Sequence, residues 1–263
     1  MTAPVTRPLA VVTGASAGIG KVFCERLAAR GHDLLLVARD GIRLQGLKQE
    51  LEQQYPVSVE VFPADLTIDT DVSLLAETLA RSPNLAILVN NAGFGTRDTL
   101  ADASPARQEA MLQLHMVAPM RLTQAALPVL LKNRRGAIVN VSSVASFLFS
   151  AGNVNYCASK AYLRVFSEGL AAELRGTGVR AQALCPGFTH SEFHQRMGVD
   201  GTQIPGWMWL SARSVVETSL AALKRGWPVV CVPGLRYKLI VFLLRVTPRW
   251  VIAGVTSRRL RGM

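Results

Sequence analysis

The chain has 263 residues, 49% of them hydrophobic, with 29 Lys and Arg against 18 Asp and Glu, a formal charge of +11. That length and apolar content suit one α/β domain with a substantial core. The basic residues carry neither a recognisable nucleic-acid module nor interleaved stacking aromatics, which argues against a nucleic-acid partner. Cys24, Cys157, Cys185 and Cys231 form no CxxC pair and have no paired His. No metal site or redox motif is expected, and the four read as small buried hydrophobes in a reducing compartment. The first strand starts within a few residues of the N-terminus, so no secretion signal is expected and the protein reads as cytoplasmic.

Leu9 to Thr13 is a short apolar run ending at Gly14, and the spacing of Val22, Phe23 and Leu27 predicts a helix directly after it. Strand, glycine turn and helix make a phosphate-binding unit. Gly14 permits the tight turn, Gly18 lets the backbone approach a pyrophosphate, and Gly20 lets helix and sheet pack closely. The helix N-terminus faces the phosphate charge, and Ser16 and Ile19 join the cofactor-binding set. A second strand runs from Asp33 to about Val37 and ends at Ala38-Arg39. A carboxylate at such a strand end would hold a ribose 2′-hydroxyl, whereas the Arg39 guanidinium pairs with a 2′-phosphate, which predicts NADP(H) over NAD(H). Two placements of Asp40 stand: a strand end one residue later puts it at the ribose and favours NAD(H), or it caps a helix over 41–54.

Val57 to Phe62 alternates as a strand and delivers Ala64-Asp65-Leu66; Leu85 to Val89 is a continuous apolar run, typical of a strand buried on both faces, ending in Asn90-Asn91-Ala92-Gly93. Pro105 to about Arg134 is helical in pattern, with kinks or a restart expected at Pro119 and Pro128. Gly136 to Ser142 is another buried strand, after which Ser142 and Ser143 point opposite ways. Tyr156 and Lys160 are four apart, so on a helix the phenol and the ammonium project from one face. A free tyrosine titrates near ~10, and proton exchange at neutral pH needs that value lowered by roughly 3 units. One neighbouring cation supplies ~1–3 units, so Lys160 is expected to lower the phenol pKa and a second cation, such as an oxidised nicotinamide ring, to complete the shift. The helix continues through Phe166, Leu170 and Leu174 to Gly176 and Gly178. There follow a strand over 179–184, the turn Pro186-Gly187, an apolar stretch, a helix over 213–225 and a last strand over 228–232.

TGASAGIG at 13–20, Asp65, NNAG at 90–93, Ser143 thirteen residues before Tyr156-x-x-x-Lys160, and PG at 186–187 occur in this order. Together they resemble the short-chain dehydrogenase/reductase family in its single-domain branch, from Leu9 to about Gly234; GxxxGxG is the glycine spacing that family uses. The resemblance implies a doubly wound, Rossmann-type α/β fold. Its mainly parallel sheet of about seven strands, in the order 3-2-1-4-5-6-7 with helices on both faces, would occupy 1–234, with 235–263 a basic helical extension. It implies that Asp65, with Leu66, meets the adenine, that Asn90, Ala92 and Gly93 edge the cofactor, and that Pro186, Gly187 and Thr189 shape the nicotinamide end. Asn90 would also hold strand ends together. It further implies that Ser143 orients a substrate oxygen, Tyr156 exchanges the proton, and Lys160 tunes the phenol and bonds the nicotinamide ribose. The expected reaction is reversible hydride transfer between NADP(H) and a carbonyl/alcohol pair, running as a reductase in a homo-oligomer.

His115 stands where the family carries a catalytic asparagine, and two readings stand: its backbone carbonyl holds a relay water, or the imidazole joins the relay. Asp65 has a second reading as the cap of a helix at 70–81. Phe193, Met197, Trp207, Met208 and Trp209 either line the pocket, which makes the substrate bulky and lipophilic, or pack as lid. After Glu217 there is no acidic residue, while nine Lys and Arg follow. The longest apolar run of the tail, Leu239 to Leu244, falls far short of the roughly 20 residues of a bilayer span. Split at Pro248, the tail forms two short helices that contact the inner face of a membrane peripherally, pack on their own core or meet another subunit. The competing function is an NADPH-binding or membrane-surface protein without turnover, against which the intact Ser143, Tyr156 and Lys160 weigh.

Overall fold

A computed structural model describes residues 7–96, 98–193 and 204–257, with side chains to 254. Seven parallel strands form one sheet in the order β3-β2-β1-β4-β5-β6-β7. They are β1 (Leu9–Thr13), β2 (Asp33–Ala38), β3 (Val59–Pro63), β4 (Leu85–Asn90), β5 (Gly136–Val141), β6 (Val179–Leu184) and β7 (Val230–Cys231). The expected order holds. Successive side chains of a strand point to opposite faces, so β1 serves two core layers at once. Ala10 and Val12 pack with Phe23, Leu27 and Leu44 on one side, and Val11 packs with Leu75, Leu79 and Leu122 on the other. Strands buried on both faces need apolar residues at nearly every position, which is why they read as unbroken runs.

The first layer is built by α1 (Gly18–Ala28), α2 (Gly41–Gln54) and α7 (Ala212–Arg225), the second by α3 (Asp69–Ala80), α5 (Ala118–Asn133) and α6 (Val154–Glu173). The strand order reverses beside β1, which pairs with β2 on one edge and β4 on the other. The crevice beyond the strand ends opens there, where doubly wound sheets take their ligands. The interruption expected at Pro119 comes just before it: α4 (Pro105–Leu112) runs into a π-helical turn at Gln113–Val117, and α5 restarts with Pro119 in its first turn. Pro128 is accommodated inside α5.

The tail forms α8 (Leu235–Val246) and α9 (Arg249–Ser257), parted at Pro248. The inner face of α8 buries Tyr237 and Val241 in the first core layer, so that face packs on the protein's own core. Among the described residues no helix is long and apolar enough to cross a membrane. All four cysteines are free and buried.

Candidate active site

β1 and β4 meet through a threonine. Thr13 Oγ1 accepts the backbone N–H groups of Asn91 (2.9 Å) and Ala92 (3.0 Å), and Asn91 Nδ2 donates to the carbonyls of Thr13 (2.9 Å) and Gly14 (3.2 Å). The glycine turn and the NNAG turn are thereby one unit. Gly14 sits at φ +66°, and a Cβ there would lie 2.7 Å from Asn91 Nδ2, so no larger residue fits. The N-cap of α1, Ala17, has no side-chain cap, and the first turn holds no acidic residue. Its free amides and positive dipole end suit a phosphate.

A cleft of about 430 Å³ opens at this point, lined by Gly14, Ser16, Ala38, Arg39, Asp40, Arg43, Asp65, Leu66, Ala92 and Gly93 among others. Size, glycine turn and helix end fit an extended dinucleotide. β2 ends at Ala38, and Asp40 Oδ1 accepts the N–H of Arg43 at 3.0 Å as the N-cap of α2. Arg43 is engaged by Asp40 (3.4 Å) and Glu192 (3.0 Å). Arg39 reaches into solvent with Asp65 at 3.8 Å. Asp65 does not cap α3, whose N-cap is Ile68; its Oδ1 instead accepts the N–H (3.0 Å) and hydroxyl (2.8 Å) of Thr67.

Asn90 is buried at the end of β4. Its Nδ2 donates to Asn140 Oδ1 (2.8 Å), Asn140 Nδ2 donates to Ser167 Oγ (2.9 Å), and Ser167 donates to the Leu163 carbonyl (2.7 Å). This buried chain ties β4 and β5 to α6, as a residue that holds strand ends together should. Asn90 Oδ1 is buried and has no hydrogen-bond partner among the described residues. Gly18, Ile19 and Gly20 lie at the start of α1, where a Cβ on Gly20 would overlap the Gly14 carbonyl.

Ser143, Tyr156 and Lys160 come together at the end of β5. The Ser143 hydroxyl, which accepts the N–H of Ala145 at 3.1 Å, neighbours the Tyr156 phenol and favours its ionisation, and Lys160 Nζ lies 5.8 Å from the phenol ring centroid. Ser142 faces the other way and donates to the Lys160 carbonyl (2.6 Å). Lys160 Nζ donates to the Val141 carbonyl at 3.0 Å. Burial holds the Lys160 ammonium down at about 8. In the free protein the phenol stands above its ordinary value: burial pushes Tyr156 up to about 12, and the neighbouring Ser143 hydroxyl offsets only part of it. Desolvation of a phenolate outweighs one cation whose own charge burial disfavours.

His115 lies inside the π-helical turn and is wholly buried. Its Nε2 accepts the N–H of Phe94 at 3.1 Å, which leaves the proton on Nδ1, 3.0 Å from Ser159 Oγ; that hydroxyl donates to the Tyr156 carbonyl (3.0 Å). Burial, and secondarily the charge of Lys160, hold the imidazole well below its usual range. It is a neutral pin between the NNAG turn and α6, with both nitrogens occupied.

A model of the short chain dehydrogenase family matches residues 8–200. The chain belongs to that family. It is therefore an oxidoreductase of CH–OH groups that works with a nicotinamide dinucleotide. A short-chain dehydrogenase from Sphingobium yanoikuyae, solved in complex with NADPH, is 34% identical with a TM-score of 0.82, covering 97% of this chain and 95% of that one. The bulky-bulky ketone specific alcohol dehydrogenase from Comamonas testosteroni is 30% identical with a TM-score of 0.78, covering 97% and 94%. A 3-oxoacyl-[acyl-carrier-protein] reductase of Aquifex aeolicus is 33% identical over 186 residues, 70% of this chain and 75% of that one.

The rim of this dehydrogenase's site depends on a residue the sequence reading passed over. Tyr237, from α8, lays its ring where a Cβ on Gly187 would be, accepts the N–H of Phe188 (3.0 Å) and donates to the Met208 carbonyl (2.6 Å). It joins the Pro186-Gly187 turn to the stretch before α7. Thr189 is buried there, its hydroxyl donating to the Gly187 carbonyl at 3.0 Å. Of the apolar rim residues, Phe193 faces Tyr156 with ring centroids 6.1 Å apart, and Trp209 stacks on His190 at 4.8 Å. Met208 packs on the core and Trp207 is exposed. Met197 lies outside the described residues.

Proposed function

We propose that the protein reduces a bulky, lipophilic ketone to a secondary alcohol with NADPH. Bound nicotinamide supplies the hydride. Ser143 holds the carbonyl oxygen and Tyr156 delivers its proton to it. A phenol at about 12 in the free protein is protonated at neutral pH, the form that donates. Lys160, cationic below about 8, stabilises the phenolate left behind and is placed to bond the nicotinamide ribose. Arg39, at the end of β2 where a carboxylate would select NAD(H), would pair with the 2′-phosphate. Gly14, Ser16 and the N-terminus of α1 would hold the pyrophosphate, Asp65 and Leu66 the adenine. Ala92, Gly93, Pro186, Gly187 and Thr189 would frame the nicotinamide half.

The single observation that carries this reading is the grouping of the Ser143 hydroxyl, the Tyr156 phenol and the Lys160 ammonium at the end of β5. The Phe193 ring facing Tyr156 supports the substrate class. So does the likeness to an alcohol dehydrogenase named for bulky-bulky ketones. The test is NADPH oxidation by purified protein across ketones of increasing size. Turnover is expected to favour the large apolar members, and Tyr156→Phe is expected to lower it by about 10²–10⁴-fold while NADPH binding persists. Near-normal turnover by that variant refutes the assignment. Arg39→Ala should weaken NADPH about tenfold or more and leave NADH unaffected, as loss of a charged hydrogen-bond donor requires.

A further inference from the structure

We propose that the outward face of α8, continued by Trp250 of α9, docks on an anionic lipid surface. Opposite the buried Tyr237 and Val241, the residues Leu235, Leu239, Phe242 and Val246 follow one another at steps of four, three and four, and so line one stripe of the helix. They are 83%, 59%, 60% and 61% exposed, and Trp250 is 77% exposed. On a helix that already buries its other face, such a stripe serves no internal packing and marks an interaction surface.

Charge decides among the occupants. Lys238 and Arg245, seven residues apart, border the stripe on one side, and no acidic residue follows Glu217 anywhere in the chain. A bilayer with acidic headgroups satisfies both features: apolar side chains sink to the acyl boundary while the cations stay at headgroup level. A second copy would offer a matching stripe, but two-fold pairing sets these cations against their equals with no tail carboxylate between them. An acidic protein would satisfy the cations and leave the Leu, Phe and Trp side chains without a purpose.

The same surface lies beside the route to Tyr156, a step that rests on the ketone reading. The loop 144–150, between Ser143 and Tyr156, is clamped to the tail. Phe147 lies between the guanidiniums of Arg164 (4.9 Å) and Arg245 (5.0 Å), and Phe149 is 5.4 Å from that of Arg249. A ketone dissolved in the bilayer reaches this loop from the lipid side.

Full-length protein is to be sedimented with vesicles of phosphatidylcholine plus phosphatidylserine, and of phosphatidylcholine alone, at low and high salt. Binding is expected with the acidic vesicles only and is expected to weaken with salt. Lys238→Ala should lower partitioning about fivefold, and Leu239→Ser with Phe242→Ser about tenfold or more. Turnover of a water-soluble ketone should be unchanged in both variants, and turnover of a vesicle-dissolved one should fall in step with partitioning. Three results overturn the proposal: no binding to acidic vesicles at low salt; undiminished binding by the double variant, which marks a charge-only surface for an acidic protein; or a wild-type dimer that the double variant splits, without vesicle binding. Sedimentation needs no turnover, so vesicle binding with no ketone reduced sinks the ketone reading alone.

Discussion

The floor of the cleft, from Thr13 across Asn90 and Asn140 to Lys160, is cross-linked by hydrogen bonds of buried side chains to one another and to the backbone. Its rim, around Gly187, Phe188, Met208 and Trp209, hangs on Tyr237, a residue of the C-terminal helix, and on stacked rings. In the floor each polar group is taken out of water, so a missing partner costs ~1–3 kcal/mol and the geometry is held rigidly. Aromatic packing on the rim lacks such directional locks and adapts more readily to a ligand's shape. The contrast assigns the chemistry to the floor and the choice of substrate to the rim.

The strongest way to break that division is Lys160→Met. Burial sets the folded lysine at about 8 against 10.5 in water. Between those values the unfolded chain binds more protons than the folded one, so stability rises with pH across that window, and below about 8 the full penalty of ~3 kcal/mol applies. A methionine of similar volume removes the penalty, less ~1 kcal/mol for the Val141 carbonyl that loses its donor. Turnover should vanish while urea unfolding at neutral pH moves to higher denaturant by the equivalent of ~2 kcal/mol. A variant that is inactive and less stable would mean that the ammonium is structural. In the wild type, the reduction rate should fall as pH rises through about 8, where the cation is lost.

On the rim, Tyr237→Phe keeps the ring against Gly187 and removes both hydrogen bonds that join the two loops. We expect ~1–3 kcal/mol of lost stability, a higher KM for the ketone, a wider range of accepted ketones, and kcat changed far less than KM. Equal losses in kcat and kcat/KM would move Tyr237 from the rim to the chemistry.

The two regions also differ in how far they could be read from the chain. Thr13-Gly14, Asn90 to Gly93 and Tyr156 to Lys160 are short-range patterns whose spacing fixes the geometry, and strands buried on both faces announce themselves as apolar runs. The end of β2 at Ala38 and the cap at Asp40 followed from local rules. Tyr237 did not, because its partners are 49 and 29 residues away and nothing in its neighbours marks it. Ser159 and Asn140 were missed for the same reason, although a polar residue inside the apolar run of β5 was a usable signal. The raised phenol of the free protein was not legible, because spacing reports a cation's proximity and says nothing of desolvation.

His115→Asn should give the smallest effect and the sharpest test of the floor. The imidazole is neutral in the folded protein, with a pKa well below the 6.5 of the unfolded chain. As pH falls below 6.5 the unfolded chain takes up a proton that the folded one refuses, so folding stability is present above 6.5 and drains away below it. Asparagine carries a donor and an acceptor but is too short to span both Phe94 and Ser159, which costs ~1 kcal/mol at neutral pH. That variant should therefore be slightly less stable at neutral pH and relatively better off in acid, with the two urea-midpoint curves converging as pH drops. Since both ring nitrogens are already bonded, kcat and its pH profile should match the wild type in His115→Asn and His115→Ala alike. A profile that loses a limb in either variant would put the imidazole in the proton path.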